Sequence, residues 1–176
     1  VETVYFRKAI ELPAGKVKSA KLEATCDNGF TFFVNGKQVL TGGNWGQTYR
    51  ADVAKLLRPG KNVLAAEGRN AGSPAGFVAR LTVEIDGKKT VLVTDTSWQT
   101  TRKKGKGWGT PAFKAGGWAK SAMIARMGSG PWGDVFAGKS KGGDNSGAVS
   151  LKAASGEIEV AKDFKAELLY TVPKGQ

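Results

Sequence analysis

The sequence predicts an all-β protein, a sandwich of two antiparallel sheets. Three observations carry the prediction. Apolar side chains recur at every second position over several segments, the period of a strand with one face buried. Asn35-Gly36 and Asp86-Gly87 each stand between two such segments, and these dipeptides supply the left-handed backbone of a tight hairpin. Helical reading is confined to one short stretch, residues 53–57, long enough for a single turn.

The elements follow in order. Residues 3–12 (TVYFRKAIEL) read as a first strand, closed by Pro13-Ala14-Gly15. In 18–26, Ala20, Leu22, Ala24 and Cys26 fall on one face and Lys21, Glu23 and Thr25 on the other. Phe30, Phe32 and Val34 continue the alternation, and 37–40 return after the Asn35-Gly36 turn. Asp52 is a good N-cap for the turn 53–57, which Arg58-Pro59-Gly60 ends. Residues 62–70 (NVLAAEGRN) form a strand with Leu64, Ala66 and Gly68 inward, and 76–85 place Phe77, Ala79, Leu81, Val83 and Ile85 on one face. Residues 89–94 return from Asp86-Gly87, and Asp95-Thr96-Ser97 turns the chain into Trp98. Beyond this point the regularity weakens, and 102–135 hold Trp108, Trp118, Trp132 and many glycines. The expected organisation is a sandwich over 1–136, a flexible linker or low-complexity loop over 137–156, and an apolar segment over 157–176 that packs on a neighbour or starts a following domain.

Composition removes several functions. The chain has 176 residues and no histidine, which excludes Ser-His-Asp and Cys-His catalysis and the usual zinc sites. The lone Cys26 forms no internal disulfide, and its place in the alternation makes it a buried thiol. A glycosidase needs two carboxylates ~5–9.5 Å apart. No motif marks such a pair among the Asp and Glu residues, so the chain is not expected to be an enzyme. Calcium takes about six to eight oxygen ligands. The aspartates (Asp27, Asp52, Asp86, Asp95, Asp134 and Asp144 among them) are too dispersed to form a recognisable site, which leaves a structural calcium open only through backbone carbonyls. No apolar run approaches the roughly 18 residues of a membrane span, so no membrane insertion is expected. A net charge of +12 favours an anionic partner, with a solvated basic surface as the plain alternative. Only residues 102–106 (RKKGK) cluster the charge, and no helix-turn-helix, zinc finger or RNP-like aromatic motif is present, so nucleic acid is not the expected partner.

The order of these signals is also specific. "VNGKQV", a glycine-rich loop with an aromatic, "YRADVAKLLRPGKNVLAAEGRN", a hairpin and "TDTSW" together resemble the galactose-binding-domain-like jelly roll found as sugar-binding and accessory domains of glycoside hydrolases, rhamnosidases included. The resemblance covers about residues 3–133, with 34–70 the most specific part. "PAFKAGGWAKSAMI" resembles the segment after "TDxSW" in that family, with Lys114-Ala115-Gly116-Gly117 in place of its acidic part. The tail "FKAELLYTVPKGQ" resembles the junction to the β-propeller of large extracytoplasmic bacterial haem-containing, dehydrogenase-like proteins, although this chain has no CxxCH motif and no haem is expected on it. The resemblance implies a non-catalytic, extracytoplasmic module of a longer chain. Such a module binds a polysaccharide, or holds the propeller and haem domains of its parent without a ligand of its own. Trp98 repeats the position of a core tryptophan in the resembling modules.

Sugars have apolar C–H faces and polar rims, so a site for them offers an aromatic platform ringed by amides and charges. Trp45 lies in Thr41-Gly42-Gly43-Asn44-Trp45-Gly46-Gln47, outside any alternating strand, with Asn44 and Gln47 beside it for hydroxyls. It reads as a ligand platform or as a packed lid on the sandwich edge. Arg69 and Asn70, in the loop that continues to Ser73 and Pro74, would face the same ligand if loops at one end converge. Otherwise Asn70 bonds its own turn and Arg69 pairs with Glu67 or another neighbour. Asp27-Asn28-Gly29, with Asn28 as its candidate ligand contact, is a turn before a strand or part of the site. Trp108, next to the basic run, reads as a surface for sulfate or carboxylate groups or as part of a mobile loop.

Overall fold

Alternation in the chain becomes two facing sheets because each strand has one side that gains by leaving water. The computed structural model describes residues 1–72, 75–129 and 133–137, together with the backbone of 167–169. Its strands are β1 (Glu2–Leu12), β2 (Val17–Cys26), β3 (Gly29–Val34), β4 (Lys37–Gly42), β5 (Tyr49–Asp52), β6 (Gly60–Asn70), β7 (Phe77–Ile85), β8 (Lys88–Val93), β9 (Gln99–Thr101), β10 (Ala119–Lys120), β11 (Met123–Arg126) and β12 (Glu167–Leu169). The first sheet runs β10-β9-β1-β6-β3-β4 and the second β11-β12-β7-β2-β5, with β8 also on β7. All described pairings are antiparallel, and the fold is the expected β-sandwich.

Between the sheets lie Phe6, Leu22, Phe30, Phe32, Val34, Phe77, Leu81 and Val83. Trp98 joins them at 1% exposure, its indole N–H donating to the Val93 carbonyl at 3.2 Å. Burying each such side chain contributes roughly 1.5–3 kcal/mol. Asn35 and Gly36 adopt φ of 51° and 85°, the left-handed pair of a tight hairpin, as do Asp86 and Gly87 at 48° and 80°. A Cβ on Gly36 would lie 2.8 Å from Thr110 Cγ2, so the glycine also admits a close neighbour. Among the described residues the only helical element is a single 3-10 turn, Ala54–Leu56, whose first amide donates to Asp52 Oδ1 at 2.9 Å. No helix among them is long and apolar enough to cross a membrane.

Three features depart from the one-face pattern. Residues 49–52 pair with β2 as an edge strand, although only four residues long. β6 is buried on both faces: Leu64 and Ala66 face the core, while Val63 and Ala65 meet a second cluster with Trp108. Residues 102–118 form that cover, with Phe113 and Trp118 packed beside Trp108. Arg7, on the same outer face and 3% exposed, holds the cover by donating to the carbonyls of Trp108 (3.0 Å), Thr110 (3.2 Å) and Phe113 (3.1 Å). On the second sheet Glu23 and Thr25, expected on the open face of β2, are also buried. Glu23 takes Arg50 Nε at 3.0 Å, Arg80 Nη2 at 2.6 Å and Lys21 Nζ at 3.1 Å. Phe136 lies over Arg80, 4.7 Å from its guanidinium carbon. Glu167–Leu169 pairs with β11 and meets Phe77 of β7 at Leu169. The expected linker over 138–156, the remainder of the 157–176 segment, Trp132, Ser73 and Pro74 lie outside the described residues.

Candidate functional site

The loops after β2, β4 and β6 emerge at one end of the sandwich. Register fixes their order: Gly29 of β3 pairs with Arg69 of β6, and Phe30 of β3 pairs with Gly42 of β4. A Cβ placed on Gly29 would meet the Gly42 carbonyl at 3.1 Å and Arg69 Nη2 at 4.0 Å, so glycine lets the two neighbours approach. On the other side Asn70 pairs with Glu2 of β1. The structure therefore brings the Trp45, Asn28 and Arg69-Asn70 segments to one end.

The loop 43–48 is pinned by its backbone. Thr25 Oγ1 donates to the Trp45 carbonyl at 3.0 Å, and the Tyr49 hydroxyl accepts from the Gly43 and Asn44 amides at 3.2 Å each. Asn44 Oδ1 accepts from Gly46 N at 2.9 Å, and the Gln47 amide donates to the Asn44 carbonyl at 3.1 Å. Trp45 itself is 43% exposed, and Asn44 and Gln47 are exposed beside it. Its indole is not a buried lid.

The β2–β3 turn is laced to the β6–β7 loop. Asp27 N donates to the Gly76 carbonyl at 3.0 Å and Asn28 N to the Arg69 carbonyl at 2.9 Å. The Asp27–Asn28 peptide bond is cis. Asn28 Oδ1 accepts from Ala71 N at 2.6 Å, and Asn70 Oδ1 from Gly72 N at 2.9 Å, so both carboxamide oxygens serve the turns. Arg69 is exposed and does not pair with Glu67, which takes Lys104 Nζ at 3.0 Å instead. Among the described residues no group accepts from its guanidinium. A cavity of about 20 Å³ lies here, floored by Val4, Phe6, Cys26 and Phe77 and rimmed by Glu2, Asp27, Arg69 and Asn70. Such a volume holds about one water, and Trp45 does not line it.

Asp27 reads in the sequence only as part of the turn Asp27-Asn28-Gly29, and the structure sets it apart. Its Oδ1 is buried and has no hydrogen-bond partner among the described residues, and burial raises its pKa. The other described aspartates all accept a backbone amide: Asp52 from Ala54, Asp86 from Lys16, Asp95 from Ser97 and Asp134 from Phe136. Nothing in the chain's pattern separates Asp27 from these turn aspartates, because its missing donor depends on how distant loops close over it. Among the described residues no three Asp, Glu or Cys side chains gather as metal ligands. At this end Glu2 pairs with Arg102 through Oε1, while Asp27 Oδ1 has no partner among the described residues.

Trp108 departs from the expectation. It is 9% exposed, with Tyr5 and Phe33 edge-on to it at 5.2 and 5.6 Å and Trp118 stacked at 6.2 Å, so it offers no open face to a ligand. A broader open concavity of about 340 Å³ beside β5 is lined by Lys21, Arg50 and Asp52, but both cations there already serve Glu23.

No protein-family model and no curated protein matches the chain. Solved structures do. The chain is similar to the α-L-rhamnosidase of Streptomyces avermitilis complexed with L-rhamnose, with 30% identity, a TM-score of 0.72 and coverage of 76% of this chain and 14% of that one. Its similarity to the lectin of Pleurotus ostreatus in complex with GalNAc is 34% identity and a TM-score of 0.68, covering 75% of this chain and 40% of that one. A GH78 family rhamnosidase of Bacillus gives 28% identity and a TM-score of 0.63, over 74% of this chain and 17% of that one. The sandwich is shared with parts of sugar-handling proteins. This chain spans well under half the length of each.

Proposed function

We propose that the protein is a non-catalytic carbohydrate-binding module and that the loop end of the sandwich is its site. The observation that carries the reading is a convergence: an exposed indole on a backbone-pinned loop shares one end with a rim whose Asp27 oxygen is unpartnered. An indole face covers the C–H surface of a sugar, while Asn44, Gln47, Arg69 and Asp27 meet its hydroxyls. The Asp27 carboxylate accepts from a ligand hydroxyl or coordinates a calcium ion shared with the sugar. The rhamnosidase and lectin likenesses support the reading, as does their larger size, which fits an extracytoplasmic module within a longer chain.

The test is retention on immobilised L-rhamnose, GalNAc and a panel of polysaccharides, with calcium and with a chelator. Trp45→Ala and Asp27→Asn are each expected to weaken binding at least about tenfold, equivalent to about 1.4 kcal/mol. Loss of binding in chelator would assign calcium to Asp27. One observation favours a second reading, a structural module that positions other domains of its parent, including the propeller and haem parts implied by the tail: the cavity at this end is closed to about one water. Folded wild type that binds no glycan under either condition would establish that reading over the first.

A further inference from the structure

We propose that the outer face of the first sheet, over the cover 102–120, is a second binding surface, and that it takes an anionic polysaccharide bearing sulfate or carboxylate groups. The inference does not rest on the loop-end site. From Thr96 to Gly133 the chain carries basic residues and no carboxylate. Two of the cations hold the cover down: Arg102 pairs with Glu2, and Lys104 pairs with Glu67 while lying 4.8 Å from the Tyr5 ring. Lys103, Lys106, Lys114 and Lys120 are exposed, and among the described residues none of their ammonium groups has an acceptor.

These four lysines belong to one side of the molecule. Lys120 pairs with Gln99 and Gln99 with Arg7, so Lys120 shares the face on which Arg7 grips the cover. Lys114 follows Phe113, whose carbonyl Arg7 holds at 3.1 Å. Lys103 and Lys106 flank Lys104, which is fixed to β6 through Glu67. The cover is therefore a framework set by Arg7 and the packed indoles, and a polyanion meets charges already in position. Unlike Arg50 and Arg80, which share the buried Glu23, these cations have no carboxylate partner among the described residues. A repeating anion fits them better than single-stranded nucleic acid does, because base stacking needs open aromatic faces and Trp108, Phe113 and Trp118 are packed on one another.

The experiment compares wild type with a variant carrying Lys103→Gln, Lys106→Gln, Lys114→Gln and Lys120→Gln. A control removes equal charge away from that face, in the second sheet and its adjoining turns, with Lys16→Gln, Lys55→Gln, Lys88→Gln and Lys89→Gln. Binding to heparin, polygalacturonate and single-stranded DNA is measured across a salt series, with thermal unfolding to confirm folding. The first variant is expected to bind both polysaccharides at least tenfold more weakly, with the slope of log Kd against log salt reduced by about 3. The control variant is expected to keep wild-type polysaccharide binding. Equal loss in the control, tighter binding of DNA than of either polysaccharide, or no retention of wild type at low salt would overturn the proposal.

Discussion

Asp27 follows Cys26, the buried last residue of β2, and its Oδ1 is buried at the same end of the sandwich without a donor among the described residues. Its folded-state pKa lies above the unfolded value, so the folded protein binds that proton more readily. The stability linked to it is fully present below the unfolded pKa and is lost as pH rises through the folded one. Asp27→Asn removes the charge, and chemical unfolding at pH 7 is expected to show a small gain in stability, limited by solvent screening because the residue is only partly buried. That gain shrinks as pH falls toward ~3.9, the unfolded value. Stabilisation together with lost glycan binding would mark a residue kept for its ligand. No change in stability would show that water already satisfies the oxygen. Cys26 behaves differently: burial pushes its thiol up to about 12, and the native protein is expected to resist a disulfide reagent at pH 8 until denaturant is added. Rapid labelling of folded protein would contradict this. Cys26 was legible in the sequence because strand period decides which side a residue faces, and Trp98 because it repeats the position of a core tryptophan in the resembling modules. The unpartnered oxygen of Asp27 was not, since its surroundings come from Arg69 and Gly76, more than forty positions away.

At the scale of elements, the cover over residues 102–118 shows where pattern reading stops. It has no alternation to read, yet it buries Trp108 against Val63 and Ala65 and makes a one-sided strand into a two-sided one. Its organiser is Arg7, a hundred positions upstream, which reads in sequence as the polar face of an ordinary strand. One guanidinium meets three carbonyls without a carboxylate, and burial lowers its pKa. Replacing it removes three hydrogen bonds, each worth roughly 1 kcal/mol, although the Thr110 carbonyl still accepts from the Phe113 amide at 3.2 Å. Arg7→Ala is accordingly expected to cost about 3 kcal/mol and to shift tryptophan emission to the red as Trp108 and Trp118 meet water. Arg7→Lys is expected to recover only part of this, because an ammonium lacks the planar fork. Unchanged emission in Arg7→Ala would mean that aromatic packing alone seats the cover.

For the whole molecule, carboxylates rather than the core set the acid limit. Burial pushes the Glu23 pKa up, but hydrogen bonds from Arg80, Lys21 and Arg50 outweigh it and hold it below the ordinary value. Asp95 is likewise raised by burial and lowered further by Lys8 and Ser97. For such groups the linked stability is present above the unfolded pKa and is lost as pH falls through the folded one. Asp27 runs the opposite way. Protonation also leaves the 27 Lys and Arg residues without the 15 carboxylates that offset them, so self-repulsion grows as those ties are lost. Glu23 is the pivot, because it sits between β5 and β7 and joins both to β2. Glu23→Gln strands Arg80 and Arg50, both partly exposed, and is expected to cost about 2 kcal/mol at pH 7, below the full penalty of a buried pair. At pH 3 the loss should be smaller, since wild-type Glu23 is then itself losing its charge. Urea unfolding of both proteins at the two pH values, with and without added salt, reads the difference directly. An equal loss at pH 7 and pH 3 would mean that Glu23 contributes shape to the second sheet and not charge.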